Sequence, residues 1–105
     1  MYTLSLTNKM TQVIIVHLNR DGHEQVVTFH SLRKAYDWLH ETTQRLFPND
    51  PTFYIESFDY IANQICERML IGEGMLVPTA WNETKTWKAS LAKTHIVEES
   101  RNLFA

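Results

Sequence analysis

The sequence predicts an α+β domain in which two helices cover an antiparallel β-sheet. Three observations support this fold class: two β-branched runs flank the pair Asp21-Gly22, a helical pattern of apolar residues follows, and a second such pattern comes later. We expect an N-terminal hairpin or meander around Asp21 and Gly22, helices over about residues 31–47 and 57–71, and an extended C-terminal segment.

The hairpin is the strongest local signal in the chain. The pair Asp-Gly tolerates positive φ at both central positions of a type I′ turn. With this pair as the loop, Arg20 faces His23, and Ile14 faces Phe29 further along. The apolar face then consists of Ile14, Val16, Leu18, Val27 and Phe29. A slip of one residue would mix this set with the polar one, so the register is well specified.

The opposite face of the hairpin is partly apolar, because it carries Ile15, Val26 and Thr28. We expect either the C-terminal segment or a second copy of the chain to cover it, and the second arrangement is a symmetric homodimer. Residues 2–6 alternate like a strand. They are expected to add a third strand through a turn at Thr7-Asn8-Lys9.

Each predicted helix has a start signal and a stop signal. Ser31 can cap the first helix, which must end before Pro48. Ser57 can cap the second, and Gly72 is a natural stop. The apolar stripe of the first helix is Leu32, Ala35, Tyr36, Leu39, Thr43, Leu46 and Phe47. That of the second is Phe58, Ile61, Ala62, Ile65 and Met69.

The last third of the chain gives weaker signals. Met75 to Pro78 reads as a short strand fragment that the proline closes. Trp87 and Leu91 fit both a strand and a helix, and the nearby threonine, isoleucine and valine residues favour a strand. We expect one domain over residues 1–105, with a frayed tail over about residues 98–105.

Composition excludes several classes of protein. The formal charge is −2 at pH 7, which lacks the strongly basic balance of a general nucleic-acid binder. Cys66 is the one cysteine, so an intrachain disulfide is impossible and a reducing, cytoplasmic compartment is indicated. The N-terminus has no signal-peptide pattern, and no apolar run is long enough to cross a bilayer.

Motifs for catalysis and cofactors are absent from the sequence. The five histidines show no metal-binding spacing, and the hairpin register places His17 and His23 on opposite faces. No G-x-S-x-G surrounds a serine, and Cys66 is expected to be a buried, inert side chain. Asp37 and Glu41 lie between basic residues, as on a solvated helix face. We therefore expect no enzyme, no cofactor and no metal.

Charge is distributed unevenly along the chain. Residues 1–50 have net charge 0, residues 51–84 have −4, and residues 85–105 have +2. The acidic stretch also carries aromatic residues, and aromatic anchors beside steering charges are typical of protein-binding surfaces. The candidate partner-binding residues are Trp38, Tyr54, Glu56, Asp59, Tyr60, Glu67, Glu73 and Trp81. The alternative is that these aromatics build the core, and the sequence leaves both open.

Three functions fit these patterns. The first is a small non-catalytic module that binds and occludes a larger protein partner, a style and size common among phage antagonists of host defence such as anti-CRISPR proteins and among immunity proteins. The second is an oligomer that binds or sequesters a small molecule or nucleotide, with His17 and Tyr36 near its pocket. The third is a weak nucleic-acid contact, for which the candidates are Lys85, Trp87, Lys88 and Lys93.

Overall fold

A computed structural model describes the backbone of residues 6–71 and 76–101, and the side chains of residues 11–66 and 76–95. The described elements, in chain order, are β1 (Leu6–Arg20), β2 (His23–Phe29), α1 (Leu32–Leu46), β3 (Tyr54–Ile55), α2 (Phe58–Ile71), β4 (Val77–Trp81) and β5 (Trp87–Arg101). The strands form one antiparallel sheet in the order β2-β1-β5-β4-β3. The predicted α+β fold class, with its two helices and extended C-terminal segment, is confirmed.

The β1–β2 hairpin has the predicted register. Arg20 pairs with His23, and Ile14 pairs with Phe29. Asp21 has φ 52° and Gly22 has φ 84°, the two positive values that a type I′ turn needs. A hydrogen bond also stabilises the turn: the Gly22 amide donates to Asn19 Oδ1 at 3.1 Å.

The prediction of a third N-terminal strand is wrong for the residues that would form its turn. Thr7-Asn8-Lys9 continues β1, which runs without interruption for 15 residues. The reason is non-local: β5 pairs with β1 along its whole length, from Leu6 opposite Arg101 to Arg20 opposite Trp87. The sequence predicted a frayed tail over about residues 98–105, but residues 98–101 are paired with β1. Residues 1–5 and 102–105 lie outside the described chain.

Both helices begin where the sequence predicts. The Ser31 hydroxyl accepts a hydrogen bond from the Lys34 amide at 3.1 Å, which satisfies a free donor of the first turn of α1. Ser57 does the same for the Tyr60 amide of α2 at 3.2 Å. Helix α1 ends at Leu46, and α2 is described to Ile71. The predicted stop at Gly72 lies outside the described residues.

The core lies between the two helices and one face of the sheet. Alternate residues of the central strands point into it, as the period of a strand requires. Its buried members are Ile14, Val16, Ala35, Tyr36, Leu39, Ile61, Ile65, Val77, Ala80, Trp87, Ala89 and Leu91. Three aromatic rings close one end of the core: Phe47 stacks on Phe53 at 4.8 Å, and both contact Trp87.

The sequence predicted that this strand ends at Pro78, but β4 continues to Trp81. Pro78 pairs with Ser90, and a bulge separates it from Ala80. A proline is tolerated there because β3 pairs only with the last two residues of β4, so the missing N–H of Pro78 breaks no bond to β3.

Candidate functional site

The sheet has a second face, opposite the core, which we call the open face. This face is buried at Val13 and Ala92 and accessible at Lys88. Cross-strand pairing places Tyr54, Trp81 and Lys88 side by side on it, while their neighbours Ile55, Ala80 and Ala89 point to the helices. The C-terminal segment was one expected cover for this face, but its described residues, 87–101, form the central strand β5 instead. Cover by a second copy stays a prediction.

Tyr54 and Trp81 form an aromatic pair on the open face. Their ring centroids are 4.8 Å apart with 29° between the ring planes, which is a stacked arrangement. Tyr54 nevertheless remains 46% exposed, and Tyr60 in the first turn of α2 remains 45% exposed. These rings are therefore surface groups, and the question that the sequence left open is answered for them.

Glu56 lies next to this pair, at the junction of β3 and α2. A hydrogen bond with the Glu56 side chain, followed by burial and by the charge of Glu56, raises the pKa of Tyr54. The phenol of Tyr60 adds a smaller effect in the same direction, which indicates that the two tyrosines are neighbours. We call Tyr54, Glu56, Asp59, Tyr60 and Trp81 the Tyr54 surface. Asp59 belongs to it as the exposed residue next to Tyr60.

Trp38 does not belong to the Tyr54 surface. It lies on α1, half buried against Phe29 with ring centroids 5.5 Å apart, and it lines a separate cavity of about 450 Å³ between α1 and the β1–β2 hairpin. The side chain of Glu67 and the whole of Glu73 lie outside the described part of the chain. Four of the eight candidate partner-binding residues, Tyr54, Glu56, Tyr60 and Trp81, are thus brought together, and Asp59 is included as the exposed sequence neighbour of Tyr60.

The candidates for nucleic-acid contact are separated by the fold. Trp87 is 5% exposed and belongs to the core, which separates it from the exposed Lys85 and Lys88. Lys93 pairs with Ile14 and lies on the side of β5 that faces the helices, whereas Lys88 pairs with Trp81 on the open face. Lys85 lies in the β4–β5 turn, with its Nζ 6.0 Å from the centre of the Trp81 ring.

A groove of about 470 Å³ runs over the open face beside Trp81, and we call it the open-face groove. Its polar lining comes from three strands and one turn: His17, Asn19, Glu24, Lys85, Lys88 and Ser90. The expectation that His17 lines a pocket is consistent with this placement. Tyr36, named with it, is instead buried in the core. Successive side chains of β5 point to opposite faces of the sheet, and this alternation places Lys88 and Ser90 on the face away from Trp87.

The β4–β5 turn that carries Lys85 is held by a network of hydrogen bonds. Two hydrogen bonds join Asn82 and Trp87. The Asn82 amide donates to the Trp87 carbonyl at 3.1 Å, and the Trp87 amide donates to Asn82 Oδ1 at 3.0 Å. The Lys85 amide donates to the Asn82 carbonyl at 3.0 Å. The Asp21 amide donates to the Thr86 carbonyl at 2.7 Å, which ties this turn to the β1–β2 turn.

Among residues whose positions are described, no three His, Cys, Asp or Glu side chains cluster so as to hold a metal ion. Cys66 is exposed, so the expectation of a buried thiol is wrong. No helix within the described ranges combines the length and apolar character needed to span a membrane.

Comparison of the chain with protein-family models, with curated proteins and with solved structures finds no match.

Proposed function

We propose that this chain is a small non-catalytic cytoplasmic protein that binds a larger protein partner through the Tyr54 surface. The observation that carries the proposal is the exposed stack of Tyr54 on Trp81 beside Glu56 and Tyr60. Tyrosine and tryptophan are the residue types that most often supply binding energy at protein interfaces, because they bury a large area with few rotatable bonds.

The charge of the surface suggests the chemistry of the partner. Glu56 and Asp59 are both acidic and lie between the two exposed tyrosines in the sequence. Among described residues, neither carboxylate takes part in an ion pair, so their charge is available to a partner. A basic patch on the partner would be attracted at long range, and this attraction would speed association at low salt.

We further propose that binding inhibits the partner by occlusion. A rigid domain with a preformed aromatic surface can block a site without ordering any segment first, which lowers the cost of association. The cross-strand pairing of Tyr54 with Trp81 fixes both rings to the sheet, and this rigidity favours a blocking role. A homodimer through the open face is a separate proposal, which light scattering on the purified protein tests.

The test is quantitative affinity capture from the cell in which the protein is made, followed by binding measurements with the purified partner. The wild type, the Tyr54→Ala and Tyr60→Ala variants, and a Leu46→Ala control are compared. Leu46 is 46% exposed on α1, so the control removes an equally exposed apolar side chain elsewhere.

The expected result is one protein captured in near-stoichiometric amount by the wild type and by Leu46→Ala, and lost with either tyrosine variant. Circular dichroism checks that each variant is folded. Loss of a central aromatic anchor should weaken binding by about 2 kcal/mol or more. Capture that is equal for all four proteins would contradict the proposal, as would the lack of any stoichiometric partner.

A further inference from the structure

The open-face groove has a surplus of positive charge. Lys85 and Lys88 line it, and neither ammonium group forms an ion pair with another described residue. The lining carries one carboxylate, Glu24, which lies 3.7 Å from His17 Nε2. Charge complementarity favours an anionic ligand in this groove.

The same groove has a flat aromatic wall. Trp81 lines the groove, whereas Tyr54, which stacks against Trp81, does not. An indole face is a good platform for a planar ring, and stacking of this kind accepts any nucleobase. The groove volume of about 470 Å³ lies within the range typical of small-molecule sites.

Lys85 adds an independent observation, because it adopts an unfavourable backbone conformation. Its φ of 57° lies in the left-handed region, which residues with a β-carbon other than Asn and Asp rarely adopt. Glycine or asparagine would fit this turn more easily. The hydrogen bonds around Asn82 hold the backbone of the turn in place, and the Lys85 ammonium lies 6.0 Å from the centre of the Trp81 ring. Such strain, held by its surroundings, is concentrated at functional sites.

We propose that the open-face groove binds a nucleotide, with the base stacked on Trp81 and the phosphate held by Lys85 and Lys88. Asn19 and Ser90 line the same groove and supply polar groups for the sugar and the base edge. The nucleotide can be free or can be one unit of a single strand, since both offer a base and a phosphate. This site goes beyond the protein-binding role of the Tyr54 surface, with which it shares only Trp81.

The experiment titrates the full chain with two probes, AMP and an eight-nucleotide single-stranded DNA, and follows binding by amide chemical shifts and calorimetry. Two lysine variants form a matched pair: Lys88→Gln on the open face, and Lys93→Gln on the helix-covered side of the same strand. Lys85→Gly is the third variant, because glycine keeps the turn conformation while the ammonium is removed.

The expected result is saturable 1:1 binding, with shifts concentrated at residues 81–90. Lys88→Gln should weaken binding about tenfold through loss of a charge-assisted contact, and Lys93→Gln should leave it unchanged. Lys85→Gly should raise the melting temperature and weaken binding together, since it removes both the strain and the contact. Equal affinity for AMP and the oligonucleotide identifies a free nucleotide as the ligand, and binding of the oligonucleotide alone identifies a single strand.

Three outcomes overturn the proposal. They are the lack of binding of both probes at about 1 mM, an equal loss of affinity in Lys88→Gln and Lys93→Gln, and wild-type affinity in Lys85→Gly. The lysine variants leave Tyr54 and Tyr60 in place. Capture of a protein partner by the Tyr54 surface is therefore measured independently of nucleotide binding, and failure of one proposal does not imply failure of the other.

Discussion

The Tyr36 hydroxyl donates a hydrogen bond of 2.6 Å to the backbone carbonyl of Glu56. These residues are 20 positions apart, one in α1 and the other between β3 and α2. The bond joins the first helix to the segment that carries the Tyr54 surface. Glu56 is also tied to the sheet, because its amide donates to the Thr79 carbonyl at 2.8 Å. The backbone of Glu56 is thus fixed on both sides.

Replacement of Tyr36 by phenylalanine tests how much this bond contributes. Tyr36→Phe keeps the ring, which contacts Phe58 edge to face at 5.5 Å, and removes only the donor. We expect the free energy of unfolding to fall by about 1 kcal/mol, because the Glu56 carbonyl loses its side-chain donor. Urea denaturation followed by circular dichroism measures this. Tyr60→Phe, at a 45% exposed position, is the control and should be nearly neutral.

Wild type and Tyr36→Phe can also be compared at alkaline pH. Burial is the main cause that raises the pKa of Tyr36 above its usual value of 10.0. A folded-state pKa above the unfolded one means that the stabilisation is fully present below pH 10.0 and is lost as pH rises through the folded-state pKa. The stability difference between wild type and Tyr36→Phe should therefore shrink at alkaline pH. A constant difference would show that the hydroxyl is not buried in the fold.

Local patterns predicted the hairpin and both helices, and they did so for physical reasons. The pair Asp21-Gly22 and the alternation around it leave one register with an apolar face. Ser31 and Ser57 supply hydroxyls where helix donors are free. These are interactions over a few residues. A single sequence displays them directly.

Non-local pairing explains what the sequence did not predict. The composition of Thr7-Asn8-Lys9 is typical of a turn, but pairing with residues 98–100 makes it part of a strand. The stack of Tyr54 on Trp81 depends on a strand pairing between residues 27 positions apart. The exposure of Tyr54 and the burial of Trp87 follow from that pairing, since alternate residues of a strand point to opposite faces.

Two leucines on α1 test where the core lies. Leu39 is fully buried between the helices and the sheet, while Leu46 on the same helix is 46% exposed. We expect Leu39→Ala to lower the free energy of unfolding by about 3 kcal/mol, because it removes buried methyl groups and leaves a cavity. Leu46→Ala should change it by less than about 0.5 kcal/mol. Chemical denaturation of both variants provides the comparison, and equal losses would contradict the described packing of α1.

The loop between α1 and β3 gives a prediction at acidic pH. Asp50 Oδ1 accepts hydrogen bonds from both the amide, at 2.9 Å, and the hydroxyl of Thr52, and these bonds are the main cause that lowers the Asp50 pKa below 3.8. Since the folded state holds the charged form, the stabilisation is present above pH 3.8 and is lost as pH falls through the lowered pKa. Asp50→Ala should therefore be less stable than wild type at neutral pH, and the difference should shrink in acid, where the neutral carboxyl accepts weaker hydrogen bonds. Asp50→Asn keeps an acceptor without a titrating charge, so its difference from Asp50→Ala should not depend on pH. Thermal denaturation of the three proteins from about pH 2 to pH 7 measures both differences, and a gap between wild type and Asp50→Ala that is unchanged at the acid limit would show that the charge of Asp50 does not stabilise the loop.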